Sequence, residues 1–162
     1  DWMKRYQIPV YHEQTHTGLV RHIYVRTAMA TGQILVCLVI HGDSIPFAKE
    51  LVDNLLTNVD NIASICLSIH KKQGNSVLGD RFVNLYGPGY IEDDLCGLRF
   101  RLSPRSFYQV NRDQAQQLYA AAIRQAELTG TETVLDLYCG TGTITLKPGE
   151  NVIPITVTGA QQ

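Results

Sequence analysis

The chain has 162 residues, 14 Lys+Arg against 15 Asp+Glu, a formal net charge of −1, 44% apolar and 18% charged residues. At roughly 100–200 residues per domain, this is one domain, or a small domain plus part of another, and it can bury a core without disulfides or metal. The balance excludes a disordered acidic or basic tail and a protein that coats nucleic acid through bulk positive charge, but not one with a local basic patch.

Residues 1–18 are polar, carry His12 and His16 and show no clear period, which reads as a loop or arm. Residues 19–27 then alternate apolar and polar side chains, the pattern of a strand exposed on at least one face. After a turn at 28–32, residues 33–40 are β-branched and nearly all apolar, a buried partner strand. Asp43 or Ser44 can cap a helix over 45–58, whose Phe47, Leu51, Leu55 and Val59 recur on one face. Residues 62–70 form a third strand with Ile65, Leu67 and Ile69 alternating. Shorter strands follow at 81–86, 90–95 and 98–102, with Gly87-Pro88-Gly89 and Cys96-Gly97 as turns. Up to residue 102, the expected fold is an α+β layer.

The texture changes at Ser103. Residues 103–111 are neither periodic nor turn-like. Asn111 then caps a helix over 112–128, rich in Ala, Gln and Leu and stopped by Thr129-Gly130. A compact apolar strand at 134–137 leads into Tyr138-Cys139-Gly140-Thr141-Gly142, and strand followed by glycine loop is how a nucleotide-type α/β domain begins. The expected next helix is broken by Lys147-Pro148-Gly149, and 151–158 reads as extended. Three regions follow: a central α+β domain over 1–102, the opening of a second domain over 103–146, and an unassigned tail over 147–162.

The four cysteines, Cys37, Cys66, Cys96 and Cys139, are widely spaced with no CxxC or Cys/His cluster, so no metal site is expected. Three sit in apolar runs and read as reduced, buried residues, which fits a cytoplasmic protein. The longest apolar run, Ile34–Ile40, is far short of the roughly 18 residues of a membrane helix. No signal pattern opens the sequence, which starts at Asp1 and reads there as a processing boundary.

Asp136 at the end of a buried strand, followed by closely spaced glycines, lets backbone N–H groups approach a ligand without an intervening Cβ. No Gly-Lys-Ser/Thr follows, so it is not a P-loop. Taken alone, the pattern is weak, and a turn with a capping glycine is the plainer alternative. Arg21, His22 and Arg26 share the first strand, and Arg99, Arg101, Arg105 and Arg112 fall in 97–112 with no acid among them. Alternation puts Arg99 and Arg101 opposite Leu98, Phe100 and Leu102. Such arginines near aromatics suit RNA phosphates and stacked bases, or simply a solvated sheet face. His12, His16, His41 and His70 have no evident partners and read as surface residues.

Read together, Ser106-Phe107-Tyr108-Gln109-Val110-Asn111, a helix, and Thr133-Val134-Leu135-Asp136-Leu137-Tyr138-Cys139-Gly140 resemble the RNA uracil-5-methyltransferases, the 23S ribosomal RNA branch above the tRNA branch. The resemblance covers roughly residues 15–146. It implies a class I, Rossmann-like methyltransferase domain beginning after residue 102, with S-adenosyl-L-methionine as cofactor and structured RNA as substrate, ribosomal RNA first and tRNA second. Phe107 would pack against the flipped uracil, with a core aromatic as the plainer alternative. Gln109 would contact the cofactor, or else brace the loop. Tyr138, Gly140, Gly142 and Thr143 match the cofactor loop, while Asp136 would orient it. Arg21, Arg99, Arg101 and Arg105 would face RNA. Cys139 is expected to be inert packing, because the family's nucleophilic cysteine and its general base lie downstream of the glycine loop, so these 162 residues alone are expected to be inactive. A truncated parent is the favoured explanation of the tail. The competing expectation is a non-catalytic RNA-binding domain, and a third is self-association through strands at 134–137 and 153–157.

Overall fold

The computed structural model describes residues 1–74, 76–127, 129 and 141–143. These fall into two compact units. The first comprises Asp1–Ala28, Gly32–Ile91 and Ser103–Arg105; the second comprises Met29–Thr31, Glu92–Leu102 and the described residues from Ser106 onward. The division thus falls between Ile91 and Glu92, before the change of texture at Ser103.

The first unit opens with a single helical turn, α1 (Trp2–Arg5). Its sheet contains β1 (Val20–Thr27) and β2 (Ile34–Ile40), then, after helix α2 (Ala48–Asn58), β3 (Ile62–Ile69) and β4 (Arg81–Tyr86), in the spatial order β1-β2-β3-β4. The sheet is mixed: β1 and β4 are antiparallel to their neighbours, while β2 and β3 run parallel. A parallel pair needs a crossover, and α2 supplies it. In register, Val36 faces Ile65, Leu38 faces Leu67 and Ile40 faces Ile69. These six side chains form one core with Leu51 of α2 and with Trp2 and Ile8. Each such burial stabilises the fold by roughly 1.5–3 kcal/mol relative to exposure.

Three expectations are corrected here. Residues 1–18 are not a loose arm: Trp2, Ile8 and Tyr11 are buried, the Trp2 indole N–H donates to the Phe47 carbonyl at 3.0 Å, and Val10 bridges to Val20. Their irregular spacing hides this contribution from a periodicity search. Helix α2 is not capped by Asp43 or Ser44. It begins after Phe47, which takes a left-handed φ of 53° and stacks on Tyr6 with centroids 4.3 Å apart. Pro46 disfavours helical backbone at Ile45, so the helix starts late. Asp43 instead pairs with Lys71 at 2.5 Å. Finally, β3 is buried along both faces rather than alternating, including Ser64 and Ser68.

Those buried serines need partners. The Ser64 hydroxyl donates to the Tyr90 carbonyl at 2.9 Å and accepts from the Gly89 N–H at 3.1 Å, while the Ser68 hydroxyl accepts from the Gly79 N–H at 2.8 Å. Backbone approach is tight there: a Cβ on Gly87, with φ +72°, would lie 1.9 Å from the Ala63 carbonyl oxygen.

Strand β5 (Ile91–Leu95), which belongs to the second unit from Glu92 onward, and β6 (Leu98–Leu102) form a hairpin. Its turn residues Cys96 and Gly97 both have positive φ, 53° and 80°, as a two-residue type I′ turn requires. Helix α3 (Arg112–Ala126) follows, its Asn111 side chain accepting from the Gln114 N–H at 3.1 Å as an N-cap does. Among the described residues, no helix is long and apolar enough to cross a membrane. The strand expected at 134–137 and the tail at 147–162, with its extended stretch at 153–157, lie outside the described residues.

Candidate cofactor and RNA site

Strand β5 places Ile91, Asp93 and Leu95 on its buried face and Glu92 and Asp94 on the other. Strand β6 likewise buries Phe100 and Leu102 and exposes Arg99 and Arg101, as alternation implies. Acids and arginines therefore meet across the hairpin. Arg99 pairs with Asp94 at 2.8 Å and Arg101 with Glu92 at 3.0 Å. The hydrogen bond and charge of Arg99 hold the Asp94 carboxyl below the usual carboxylate range. The basic stretch seen along the sequence is thus largely compensated by the strand before it. Arg112, at the start of α3, donates to the Asp94 carbonyl at 3.1 Å.

Arg105, in the first unit, is also engaged. It donates to the Gly79 carbonyl at 2.5 Å, lies 3.4 Å from Asp80 and covers the Phe82 ring. Arg99 and Arg101 keep 61% and 69% of their side-chain surface open, so they can still meet a phosphate. Arg21 cannot: its side chain is 1% exposed. It donates to Glu13 at 3.0 Å, to the Lys72 carbonyl at 2.9 Å and to His70 Nδ1, with its guanidinium 4.5 Å from the Tyr11 ring centre. Arg21 is a structural clasp, and its expected RNA contact is withdrawn. His70 is buried beside it, and burial and then the Arg21 charge lower its pKa. His16 bonds Tyr11 at 3.0 Å and His41 packs on the same ring at 4.9 Å, so these three histidines have partners; His16 is exposed as expected, while His70 is buried.

The segment after β6 brings the remaining expected residues together. Phe107 is 72% exposed, and Gln109 is exposed as well. Tyr108 between them turns inward, its ring 6.2 Å from Phe100. The Thr141 hydroxyl donates to the Phe107 carbonyl at 3.3 Å, and the Tyr119 hydroxyl of α3 lies 3.1 Å from the Thr143 hydroxyl. Between those threonines, Gly142 is buried with φ +78°, a conformation glycine adopts at no steric cost. So Phe107, Gly142 and Thr143 share one neighbourhood, with Gln109 two residues from Phe107. Phe107 is not a core aromatic. Tyr138, Gly140, Asp136 and Cys139 lie outside the described residues.

Sequence reasoning missed the inward-facing acid. Asp93 is 1% exposed and accepts from the Ala30 N–H at 2.7 Å. Its signal was available: Ile91-Glu92-Asp93-Asp94-Leu95 puts a carboxylate where alternation calls for an apolar residue. Among the cysteines, Cys37 and Cys66 are buried partners across β2 and β3, and the hydrogen bond to Cys66, with burial, pushes the Cys37 thiol far up. Neither is poised as a nucleophile.

No protein-family model matches the chain. It is 42% identical over 150 residues to an uncharacterized RNA methyltransferase of Clostridium acetobutylicum, covering 93% of this chain and 33% of that protein. It is 44% identical over 144 residues to another of Listeria innocua, covering 89% and 32%. Among solved structures, it resembles the Pyrococcus abyssi tRNA (uracil-54, C5)-methyltransferase in complex with S-adenosyl-L-homocysteine. There the TM-score is 0.72 at 26% identity, covering 94% of this chain and 36% of that one. The chain spans about a third of the length of the relatives it matches, and over that third the similarity supports an RNA methyltransferase family.

Proposed function

We propose that this chain is the part of an S-adenosyl-L-methionine-dependent RNA (uracil-5-)-methyltransferase that presents one side of the cofactor site and a platform for the target base. The observation that carries the reading is the exposed Phe107 ring, backed by its own carbonyl on Thr141, next to Gly142 and Thr143. A single exposed aromatic is ordinary on a protein surface; what supports the reading is its place, with its own carbonyl held by the Thr141 hydroxyl beside Gly142. The chemistry of the described residues fits the cofactor: a glycine with left-handed backbone admits close approach, while the Thr141 and Thr143 hydroxyls and the Gln109 amide offer hydrogen bonds. Gln109, Gly142 and Thr143, with Tyr138 and Gly140 by resemblance, would hold it. When bound, S-adenosyl-L-methionine supplies an electrophilic methyl group.

Phe107 has a separate task. An enzyme acting on C5 of a stacked uracil must extrude that base and stack it on something flat, and base–aromatic stacking contributes about 1–3 kcal/mol. Arg99 and Arg101 on the exposed face of β6 would steer the RNA backbone. By the resemblance, the cysteine that adds to C6 and the base that takes the C5 proton lie downstream of the glycine loop, so we expect these 162 residues alone to bind without turnover. Ribosomal RNA is the substrate we propose. The likeness to a tRNA enzyme favours tRNA as the second reading. A cytoplasmic location belongs to the same proposal.

The test is titration of the full chain with S-adenosyl-L-homocysteine and with a uridine-containing RNA stem-loop. We expect Gln109→Ala to weaken the first about tenfold and Phe107→Ala to weaken only the second, by about fivefold or more. Absence of any binding of S-adenosyl-L-homocysteine would sink the cofactor assignment. RNA binding indifferent to Phe107 would sink the platform.

A further inference from the structure

Helix α3 buries Ala115 and Tyr119, four residues apart on one face. An apolar residue would fill the second place with no polar group to satisfy, whereas a buried phenol calls for a partner. Tyr119, 3% exposed, has one: its hydroxyl lies 3.1 Å from the Thr143 hydroxyl, just past the glycine of the loop. The helix that carries it is itself fixed. Asn111 caps its first turn, and Arg112 donates to the Asp94 carbonyl at 3.1 Å, tying the helix start to the β5–β6 hairpin. On the other side of Gly142, the Thr141 hydroxyl donates to the Phe107 carbonyl at 3.3 Å. The buried, left-handed glycine, with φ +78°, is thus flanked by two anchored threonines. A threonine hydroxyl both donates and accepts, so the bond to Tyr119 leaves part of its capacity for a ligand.

We propose that Tyr119 is a positioning residue for the cofactor side of the site: its buried hydroxyl, bonded to Thr143, holds residues 141–143 in the shape the cofactor meets. This rests on the assignment of Gly142 and Thr143 to S-adenosyl-L-methionine made above. Tyr119 acts through Thr143 and not on the ligand itself. Its contribution is preorganisation: the loop is set before the ligand arrives, so binding does not have to supply that order. Phe107 is anchored separately, through Thr141, so the effect of Tyr119 falls on the cofactor and not on RNA.

Variants of the full chain test this by titration with S-adenosyl-L-homocysteine and with a uridine-containing RNA stem-loop. Tyr119→Phe keeps the ring and removes the hydroxyl, and we expect it to weaken S-adenosyl-L-homocysteine about fivefold, the loss of one hydrogen bond, with RNA affinity unchanged. Thr143→Val should weaken the same ligand at least as much, and adding Tyr119→Phe to it should cost nothing more, because the tyrosine then has no hydroxyl to hold. Thr143→Ser, which keeps the hydroxyl, should restore the dependence on Tyr119. Unchanged cofactor affinity in Tyr119→Phe overturns the proposal, as does a double variant whose losses simply multiply. A Tyr119→Phe chain that fails to fold, or loses both ligands alike, makes the tyrosine a core residue and overturns it too. If the unmodified chain does not bind S-adenosyl-L-homocysteine at all, the cofactor assignment falls. Ligand-free amide exchange by NMR then decides the anchor alone: faster exchange confined to 141–143 in Tyr119→Phe keeps it, and unchanged exchange there removes it.

Discussion

Arg21 on β1 and Arg99 on β6 occupy the same kind of position, a polar site on an alternating strand, yet they have opposite fates. Arg21 is enclosed, its guanidinium divided among Glu13, His70 and the Lys72 carbonyl and laid over Tyr11. Arg99 stands open and pairs with Asp94, an acid from the adjacent strand. One arginine ties residues 11–13 to the far end of β3; the other decorates a hairpin. The contrast separates two uses of one residue type that strand alternation cannot distinguish. A buried guanidinium supports the fold, and only a solvated one remains available to an RNA phosphate.

The sharpest way to break that contrast is Arg21→Ala. Removing it strands the His70 and Lys72 acceptors inside the clasp, and we expect a loss of about 3 kcal/mol in urea unfolding. RNA affinity of the fraction still folded should be unchanged. If Arg21→Ala is instead as stable as the unmodified chain but binds RNA poorly, the two arginines have been assigned the wrong way round.

A smaller effect comes from pH. His70 faces Arg21 and His22, both of which disfavour its protonation, with Asp80 as the opposing acid. Its pKa in the fold is lowered, so the neutral ring is preferred and the unfolded chain binds the proton more readily. The stability His70 supplies is therefore complete above the unfolded value of about 6.5 and is lost as the pH falls through the lower folded value. Melting temperatures from pH 7.5 to 5 should drop, and His70→Gln should flatten that slope. An equal slope in both proteins would show that His70 is not the titrating group.

The smallest effect sharpens the other half of the comparison. Replacing Arg99 and Arg101 together by Ala should leave the melting temperature where it is and weaken RNA binding a few-fold, lowering the salt dependence by about one to two counterions. Asp94→Asn, which frees Arg99, should strengthen binding. If neither change moves RNA affinity, the exposed face of β6 is a solvated surface.

Much of the architecture was legible in the residues. The apolar run at 34–40, the alternation at 19–27 and 98–102 and the Asn111 cap all mark elements found in place, because each depends on a local period or a local hydrogen bond. The start of α2 was misread because Asp43 and Ser44 look like caps, although Pro46 already argues against a helix there. Among the candidate residues, Phe107 and Gln109, singled out by motif, are exposed. Asp93 is marked in the sequence only by standing at an apolar position of the β5 alternation, and Tyr108, in a polar stretch, carries no such mark.

The sequence by itself determined the order of the elements, the net charge of −1 and the presence of an aromatic-amide motif ahead of a glycine loop. Tertiary structure alone decided which charges are spent. Pairing β5 with β6 sets Glu92 and Asp94 against Arg101 and Arg99, and folding residues 1–18 onto the sheet encloses Arg21. Both are contacts between residues distant in sequence or opposite across a turn, and electrostatic and burial energies depend on distance in space, which no reading along the chain contains.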